Sequence, residues 1–463
     1  MGGSLERERW PPAFRTRDSR NPGELPVGAV RGTRPKRVDA NGRPLYWNGD
    51  MNMKTKRLRL CIGAGASGTI RRPLRRWLVV LVGIVVGGLF PFQNAHGSDP
   101  TTDTELLKLK RAVVANYAAV TSASYQDSLA AANTLRTAVD KFLAEPSERC
   151  LRGAREAWVA ARVPYSQTEV CRFYDGPIDQ AEGMINAWPI DENYIDYVAD
   201  NSQAGVINAA SKFPVLSREL ILSLNEKEGK KNISTGFHAI EFLLWGQDLS
   251  ATGPGNRSWR DYAEGSTNAD RRRAYLRIIT ELLVEHLETV AAAWNDGNKG
   301  NYRSDFIGLD PDAALANILK GMGALSGPEL AGERLTVPYE TKEQEDEQSC
   351  FSDNTRSDLI YDAVGIENVY RGRYLAREGR KVEGPGIHDL LLRVDPAFAG
   401  TLAAQIEKSV ACARSIPQPF DQAILGTSPS PGREAVKKAA TALQAQSELI
   451  AQAAKVLSIK LNL

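Results

Sequence analysis

The sequence predicts an all-α protein, with two antiparallel helical bundles packed together. Apolar residues recur every three to four positions through most of the chain after residue 103, the spacing of one buried helix face. No stretch keeps the alternation of apolar and polar residues that a half-buried strand shows. Only 7% of the 463 residues are aromatic, and Ala, Leu, Glu and Gln, which favour helices, are plentiful.

The first 97 residues have the composition of an export leader. Residues 1–76 hold 18 of the 58 Lys+Arg and 6 of the 56 Asp+Glu, and residues 77–97 hold no charge. The apolar stretch Trp77–Phe90 follows four arginines and precedes Ala95-His96-Gly97. A basic flank, a short apolar region and small residues at −3 and −1 predict a secretory signal peptide. An uncleaved membrane anchor is the alternative, although this stretch is shorter than the ~20 residues of a spanning helix.

Four segments are expected along the chain. Residues 1–76 are a basic disordered leader, and within it residues 1–50 fit nothing folded, so Met51 or Met53 is the expected start. Residues 77–97 are the signal region and its cleavage site. The N-terminal bundle takes 98–340 and the C-terminal bundle 341–463. The charged loop KEQEDEQ, Lys342–Gln348, marks the boundary between the bundles.

Charge and cysteine content limit what the exported part does. It keeps 40 basic and 50 acidic residues of the totals of 58 and 56, a balance that argues against nucleic acid and suits cations. Four cysteines remain in it, and an even count in an oxidising compartment allows two disulfides in three possible pairings. They are Cys150, Cys171, Cys350 and Cys412.

The helices follow from apolar spacing and from the residues that interrupt it. A 3–4 residue apolar period, as at Leu276, Ile279 and Leu283, defines each one, and Gly, Pro, Asn and Asp clusters separate them. Pro189 begins or breaks a helix within Asn186–Val198. The predicted helices are Thr104–Thr121, Ser128–Leu143, Pro146–Arg162, 216–228, 233–245, Asp270–Asn295, 311–325, 354–376, 396–415 and 432–459.

The helix GFHAIEFLLWGQD carries two polar side chains on an apolar background. His238 and Glu241 are three residues apart and share one helix face, and Gly236 leaves room for another backbone beside them. Burying a charge is costly unless it is paired or binds a metal. The pair is therefore either half of a metal site in a helical bundle or a hydrogen-bonded pair between helices. HExxH is absent from the sequence, so the common metallopeptidase helix is not present.

A metal site in a chain with four histidines has to draw on carboxylates. One imidazole with oxygen ligands suits iron or calcium-like ions better than structural zinc. Each carboxylate taken alone is also explained as a helix cap or a solvated charge. The candidates are Glu169, Asp191, Glu192, Asp196, Asp353 and Asp358.

Five stretches in order resemble the imelysin-like family, which includes metallopeptidases and iron-regulated proteins. The resemblance spans about 104–460. Its blocks are GFHAIEFLLWG with the GxHxxE signature, YSQTEVCRFYDGPID, WPIDENYIDYV, CFSDNTRSDLIYDAVGIENVYRGRY and IPQPFDQAI.

The resemblance implies two helical bundles with the GxHxxE site near their interface, a periplasmic or outer-membrane location and a link to iron uptake. Gly236, His238 and Glu241 match the signature, Glu169 matches the Ser/Thr-Glu element, and Asp191 and Asp196 match the Trp-Pro-Asp region less closely. The family often has His where this chain has Arg356.

Three functions remain open at this point. The first is an exported metal-binding protein in iron acquisition, with iron, or alternatively zinc, as its ion. Its partners would be a metal ion or an iron-carrying ligand and envelope iron-transport components. Nucleic acid is not expected as a partner, and membrane contact is expected only through an uncleaved leader. The second is a metallopeptidase, for which no general base is identifiable. The third is a non-catalytic helical scaffold.

Overall fold

Helices make up nearly all of the regular structure in residues 100–250 and 252–461, the part of the chain that the computed structural model describes. The predicted signal region at 77–97 lies outside the described residues. The first eight helices are α1 (Pro100–Ala144), α2 (Glu148–Ser166), α3 (Pro177–Ile185), α4 (Glu192–Ile195), α5 (Gly205–Asn208), α6 (Arg218–Leu224), α7 (Gly236–Trp245) and α8 (Ala269–Ala293).

Eight more helices follow, so the all-α prediction is confirmed. They are α9 (Tyr302–Gly308), α10 (Pro311–Ala324), α11 (Val337–Thr341), α12 (Thr355–Arg371), α13 (Ile387–Val394), α14 (Pro396–Ser415), α15 (Phe420–Ile424) and α16 (Pro431–Val456). A π-helical segment, Leu325–Thr336, joins α10 to α11. Short 3₁₀ turns occupy Glu169–Cys171, Trp259–Tyr262, Gln344–Asp346 and Arg377–Gly379.

The first predicted pair of helices is one continuous helix, so the predicted break at 122–127 is wrong. α1 has 45 residues, a length of about 68 Å at ~1.5 Å per residue. The polar stretch that suggested a loop is satisfied inside the helix, because the Ser124 hydroxyl donates to the carbonyls of Val120 and Thr121 at 3.0 Å. Tyr125 is fully buried and continues the apolar face.

The end of the predicted helix 354–376 is also corrected. α12 stops at Arg371, and Gly372 adopts a left-handed conformation (φ +65°) that ends the helix. The chain then forms an antiparallel hairpin of β1 (Arg373–Leu375) and β2 (Lys381–Glu383), with Tyr374 opposite Val382. Three-residue strands are too short to show an alternating pattern in sequence, which is why the hairpin was not predicted.

Every residue of α7 is buried, and this helix packs between α2 and α8. Side chains of neighbouring elements bind its backbone carbonyls. Trp158 Nε1 donates to Phe237 O at 2.9 Å, and Arg155 donates through Nε and Nη2 to the carbonyl of Leu244 at 3.0 and 2.9 Å. The second contact satisfies a carbonyl of the last turn, which has no partner within the helix.

Gly236 allows α7 to begin against the end of α3. Its φ is +84°, and a Cβ atom there would lie 2.6 Å from the carbonyl oxygen of Ile185. A side chain at this position would therefore meet both backbone strain and a steric clash. The close backbone approach expected from the sequence is present.

The hydrophobic core is continuous from Val113 in α1 to Ile459 after α16. It includes residues on both sides of the predicted boundary at 340/341, and the division into two bundles there stays a prediction. α1 packs against α2 and α8, α14 packs against α12 and α16, and α2 also contacts α12. Within the described ranges, no helix has the length and apolarity needed to cross a bilayer. All four cysteines after residue 100 are free thiols.

Candidate metal centre

The predicted pair on α7 forms a direct hydrogen bond. Nδ1 of His238 and Oε2 of Glu241 are 2.7 Å apart, as side chains three residues apart on a helix allow. The exposed fractions of the two residues are 1% and 0%. The other carboxyl oxygen, Oε1, accepts from the backbone N–H and the hydroxyl of Ser352 at 2.9 and 2.7 Å. The pair therefore ties α7 to the loop that precedes α12.

Asn186, which follows α3, fixes the hydrogen positions on His238. Its Nδ2 donates to Oε1 of Glu169 at 3.3 Å, so its Oδ1 must be an acceptor. That Oδ1 receives hydrogen bonds from Nη1 of Arg162 at 2.5 Å and from Nε2 of His238 at 3.2 Å. Nε2 therefore carries a hydrogen, and Nδ1 faces the carboxyl of Glu241.

The electrostatics of the pair favour a neutral imidazole beside a protonated carboxyl. Burial lowers the pKa of His238 well below its usual value, and the charges of Arg162 and Arg334 lower it further. Burial raises the pKa of Glu241 to about 8. With a hydrogen on Nε2, the neutral ring accepts at Nδ1, and the carboxyl of Glu241 donates to it. Within the described ranges Glu241 forms no ion pair with Arg or Lys.

Glu169 lies on the other side of Asn186 and is fully neutralised by arginines. Its carboxylate pairs with Arg172 Nη1 at 3.0 Å and with Arg334, which also binds Asp362 at 2.8 Å. Burial alone would raise the pKa of Glu169, but the charges of Arg172 and Arg334 outweigh burial and lower the pKa to about 2. Arg334 belongs to the π-helical segment, a rare element that is frequent at functional sites.

Asp358 is a second buried carboxylate that is paired with an arginine. Arg162 Nε donates to it at 3.0 Å, and the hydroxyls of Ser166 and Ser349 donate at 3.2 and 2.5 Å. Glu169 and Asp358 are thus each held by a guanidinium, whereas Glu241 is held by an imidazole and a serine. This difference separates the GxHxxE carboxyl from its buried acidic neighbours.

The two predicted aspartates of the Trp-Pro region lie in different surroundings. Asp191 is exposed and caps α4 by accepting from the backbone N–H of Asn193 at 3.1 Å. Asp196 is fully buried between Arg257 and Arg272, with contacts of 2.5 and 2.6 Å. Neither is hydrogen-bonded to His238 or Glu241; the contacts seen are those of a helix cap at Asp191 and of a buried ion pair at Asp196, and ligation by either residue stays a prediction.

The donor types at the centre fit a metal ion, but their atoms are already hydrogen-bonded to one another. Both nitrogens of His238 and both oxygens of Glu241 have protein partners. In residues 100–250 and 252–461, no three His, Cys, Asp or Glu side chains are arranged to hold a metal ion. An ion bound by Nδ1 of His238 and by Glu241 would replace their shared proton, whereas an ion bound at Nε2 would displace the contact with Asn186.

A cavity of about 10 Å³, called here the His238 cavity, lies beside this pair. Its volume matches the room that one water molecule or one ion needs. Besides the indole N–H of Trp188, six of its lining residues carry polar or titratable groups: Glu192, His238, Glu345, Glu347, Gln348 and Cys350. Burial raises the pKa of Glu192 to about 7 and raises that of Glu347 well above its usual value. The cavity therefore places uncompensated acids next to the imidazole.

Arg356, where the family often has His, points away from this centre. Its Nε and Nη2 donate to the carbonyls of Ile416 and Arg414 at 2.5 and 2.6 Å. It therefore binds carbonyls at the end of α14, which have no helical partners. Arginine at this position therefore stabilises the end of α14 and makes no hydrogen bond with His238.

Several residues of the centre were not predicted from the sequence. Four side chains reach it from separate elements: Arg162, Asn186, Arg334 and Ser352. Local sequence patterns do not predict such long-range contacts. Glu347 and Gln348 lie in the charged loop that was interpreted as a domain boundary. The only local signal for Asn186 was its place two residues before Trp188 in the Trp-Pro block.

Comparison with known proteins identifies a family and a similar protein that both cover most of the chain. The Imelysin family model matches residues 121–450. Iron-regulated protein A of Synechococcus elongatus is 28% identical in an alignment of 398 residues that covers 82% of this chain and 96% of that protein.

Two solved structures share the fold. The crystal structure of an iron-regulated protein A precursor from Parabacteroides distasonis has a TM-score of 0.60 at 22% identity and covers 77% of this chain and 97% of its own. An imelysin-like protein from Psychrobacter arcticum has a TM-score of 0.53 at 15% identity, with coverage of 79% and 99%.

Proposed function

The chain belongs to the imelysin family, and from this premise we propose that it is an exported metal-binding protein that acts in iron acquisition. The link to iron comes from the relative named iron-regulated protein A, which aligns over 96% of its length. The ion proposed as cargo is iron, with zinc as the alternative, and its binding centre is the pair His238 and Glu241.

One observation carries the proposal. Glu241 is a buried carboxyl without an arginine partner, although Glu169 and Asp358 beside it each have one. A buried acid without a cation keeps its proton, and a metal ion is a cation that replaces that proton. One imidazole with carboxylate oxygens is a donor set that iron accepts.

Export is proposed from the leader alone. The basic flank, the apolar stretch Trp77–Phe90 and the small residues before Ser98 have the order of a signal peptide. The proposed location is the periplasm or the periphery of the outer membrane. There the protein would receive a metal ion or an iron-carrying ligand and pass it to envelope transport components.

A scaffold function is the second candidate, because one observation favours it. The same hydrogen bonds that define the centre join α7 to Asn186 and to Ser352, so the pair also fixes three segments of the chain. Peptidase activity, the remaining alternative, needs a cleft for a peptide beside the ion. The His238 cavity has room for about one ion or water molecule.

Metal analysis of the exported protein tests the proposal. The full chain, with its leader, is expressed in a Gram-negative host and purified from the periplasmic fraction, and its iron and zinc contents are measured beside those of His238→Ala and Glu241→Gln. His286→Ala is the matched control, since His286 is a half-buried histidine on α8. We expect bound metal in wild type and control and its loss in both site variants.

Wild type without metal after reloading with iron and zinc in solution would refute metal binding. Equal metal content in all four proteins would refute the assigned centre. A protein that stays in the cytoplasm with its leader intact would refute export. Cleavage of a casein substrate by wild type, lost in Glu241→Gln, would establish the peptidase alternative.

A further inference from the structure

Two adjacent side chains in the loop before α12 are buried with unused hydrogen-bonding atoms. Glu347 and Gln348 are each 2% exposed. Oε1 of Glu347 and both amide atoms of Gln348 have no hydrogen-bond partner within the structure. Buried polar atoms are nearly always satisfied, and each unsatisfied one costs about 1–3 kcal/mol. Such a pair in a native loop points to a ligand that completes it.

These atoms belong to residues that line the His238 cavity, whose other polar walls are acidic. Glu192 and Glu345 line it together with Glu347, and none of its lining residues is Lys or Arg. The thiol of Cys350 also lines the cavity. Burial raises the pKa of this thiol well above its usual value, and the charges of Glu241, Glu347 and Glu192 raise it further. The cavity therefore combines a negative field with room for one small ion.

We propose that the His238 cavity binds a divalent cation through oxygen atoms of Glu192, Glu347 and Gln348. Carboxylate and amide oxygens are the ligands of hard divalent ions, and such ions often keep several water ligands. In the described ranges, no three His, Cys, Asp or Glu side chains are arranged to hold a metal ion. The proposed site is consistent with this, because it uses only two carboxylates and takes its other ligands from an amide oxygen and water.

This cation position lies outside the GxHxxE pair and deepens the proposed function, on which it rests for its biological role. His238 is part of the cavity wall, and Glu241 is not. Glu192 is partly exposed and Glu345 is exposed, whereas Glu241 is fully buried, so an ion in the cavity would lie nearer to solvent than the pair. The cavity would act as the outer binding position of the same metal pathway.

Titration with Mn²⁺ tests the site without the complication of iron oxidation. The full chain is expressed with its leader, purified and stripped of metal, and free Mn²⁺ is measured by electron paramagnetic resonance as protein is added. The variants are Glu347→Gln and Glu192→Gln, and the control is Glu343→Gln, an exposed neighbour that does not line the cavity. Glu241→Gln reports separately on the GxHxxE pair.

We expect Glu347→Gln and Glu192→Gln each to weaken Mn²⁺ binding at least about tenfold and Glu343→Gln to change it less than about twofold. Metal-free Glu347→Gln should unfold at no lower temperature than wild type, because it replaces an uncompensated buried acid. Mn²⁺ should raise the unfolding temperature of wild type more than that of Glu347→Gln, a readout that misfolding would not reproduce.

Two results would overturn the inference. If Glu347→Gln and Glu192→Gln bind Mn²⁺ as wild type does while Glu241→Gln loses it, the cavity is not the site, and the proposed function stands. If wild type binds no Mn²⁺, the cavity site is refuted, and the metal content of the exported protein then decides the proposed function separately. Weakening in the cavity variants with wild-type binding in Glu241→Gln would support the cavity against the GxHxxE pair.

Discussion

Asn186 Oδ1 accepts a hydrogen bond from His238 Nε2 at 3.2 Å, and through this contact the two halves of the predicted site meet. The same amide donates to Glu169, so His238 and Glu169 are joined by an intermediary and do not touch directly. Arg162 completes the arrangement by donating to the same oxygen. The GxHxxE helix is therefore one end of a buried polar network that continues into the π-helical segment through Arg334.

Removing the bridging amide should destabilise the fold. Asn186 is fully buried, so Asn186→Ala leaves Arg162, His238 and Glu169 each without one hydrogen bond, at an expected cost of about 1–3 kcal/mol in the free energy of unfolding. Urea denaturation measures it. Asn133→Ala, which removes a half-buried amide that binds only the Leu129 carbonyl, is the control and should cost less. Equal losses of unfolding free energy in the two variants would show that the Asn186 bridge adds no stability beyond that of an ordinary side-chain hydrogen bond.

Gly236→Ala should cost more than about 2 kcal/mol, because the new Cβ meets the Ile185 carbonyl at a backbone conformation that L-residues rarely adopt. Gly153→Ala is a matched control in α2 with no atom within 4 Å of the new Cβ, and it should stabilise by about 0.5–1 kcal/mol. Denaturant midpoints of both variants are compared with wild type. A Gly236→Ala protein as stable as the control would contradict the close approach of α3.

The contribution of Glu241 to the stability of the metal-free protein should fall between pH 4.5 and pH 8. The folded state raises the pKa of Glu241 from 4.5 to about 8, so folding binds a proton more tightly and loses free energy as the pH rises through this interval. The full penalty is on the order of 5 kcal/mol. Glu192 and Asp353, with pKa values raised to about 7, act in the same direction.

Glu241→Gln should reduce the pH dependence of stability, because a glutamine amide has the hydrogen-bond donor and acceptor of the protonated acid but does not titrate. Thermal unfolding is measured at pH 5 and pH 8.5. The variant should equal wild type at pH 5 and exceed it at pH 8.5, whereas Glu288→Gln, an exposed change on α8, should follow wild type. Parallel curves for all three proteins would show that Glu241 keeps no proton on folding.

Arg334→Met should be strongly destabilising because it leaves Glu169 and Asp362 buried without their guanidinium. The expected loss is about 3–5 kcal/mol. Arg218→Met removes an exposed arginine that pairs with Glu285 and should cost no more than about 1 kcal/mol. Chemical denaturation of both variants provides the comparison, and similar small losses would show that the buried network does not depend on Arg334.

Asp196→Asn separates structural from metal-binding carboxylates. Asp196 pairs with Arg257 and Arg272, and the charges of those arginines outweigh burial and lower its pKa. The variant should unfold at lower temperature and keep the metal content of wild type. Plasma emission analysis of the purified proteins checks this, and loss of metal without loss of stability would restore Asp196 as a ligand.

The sequence by itself determined the helical fold and the helix that carries the site. Apolar spacing and helix-breaking residues act locally, so α14 was predicted with its observed bounds and α16 within three residues. The i, i+3 geometry of His238 and Glu241 is likewise a property of one helix. The glycine at 236 indicated a close backbone approach, but the tertiary structure decided that Ile185 makes it.

Only the tertiary structure decided which buried carboxylates are compensated. Glu169, Asp196 and Glu241 look alike in sequence, but two of them meet arginines from distant elements and the third does not. The charged loop at 342–348 was predicted to mark the boundary between the bundles, yet its Glu347 and Gln348 are buried and line the cavity beside His238. Whether a buried carboxylate is paired with an arginine depends on distances between segments that are far apart along the chain. The burial of the two side chains sets the energy of that pairing. Local sequence patterns therefore do not predict which carboxylates are compensated.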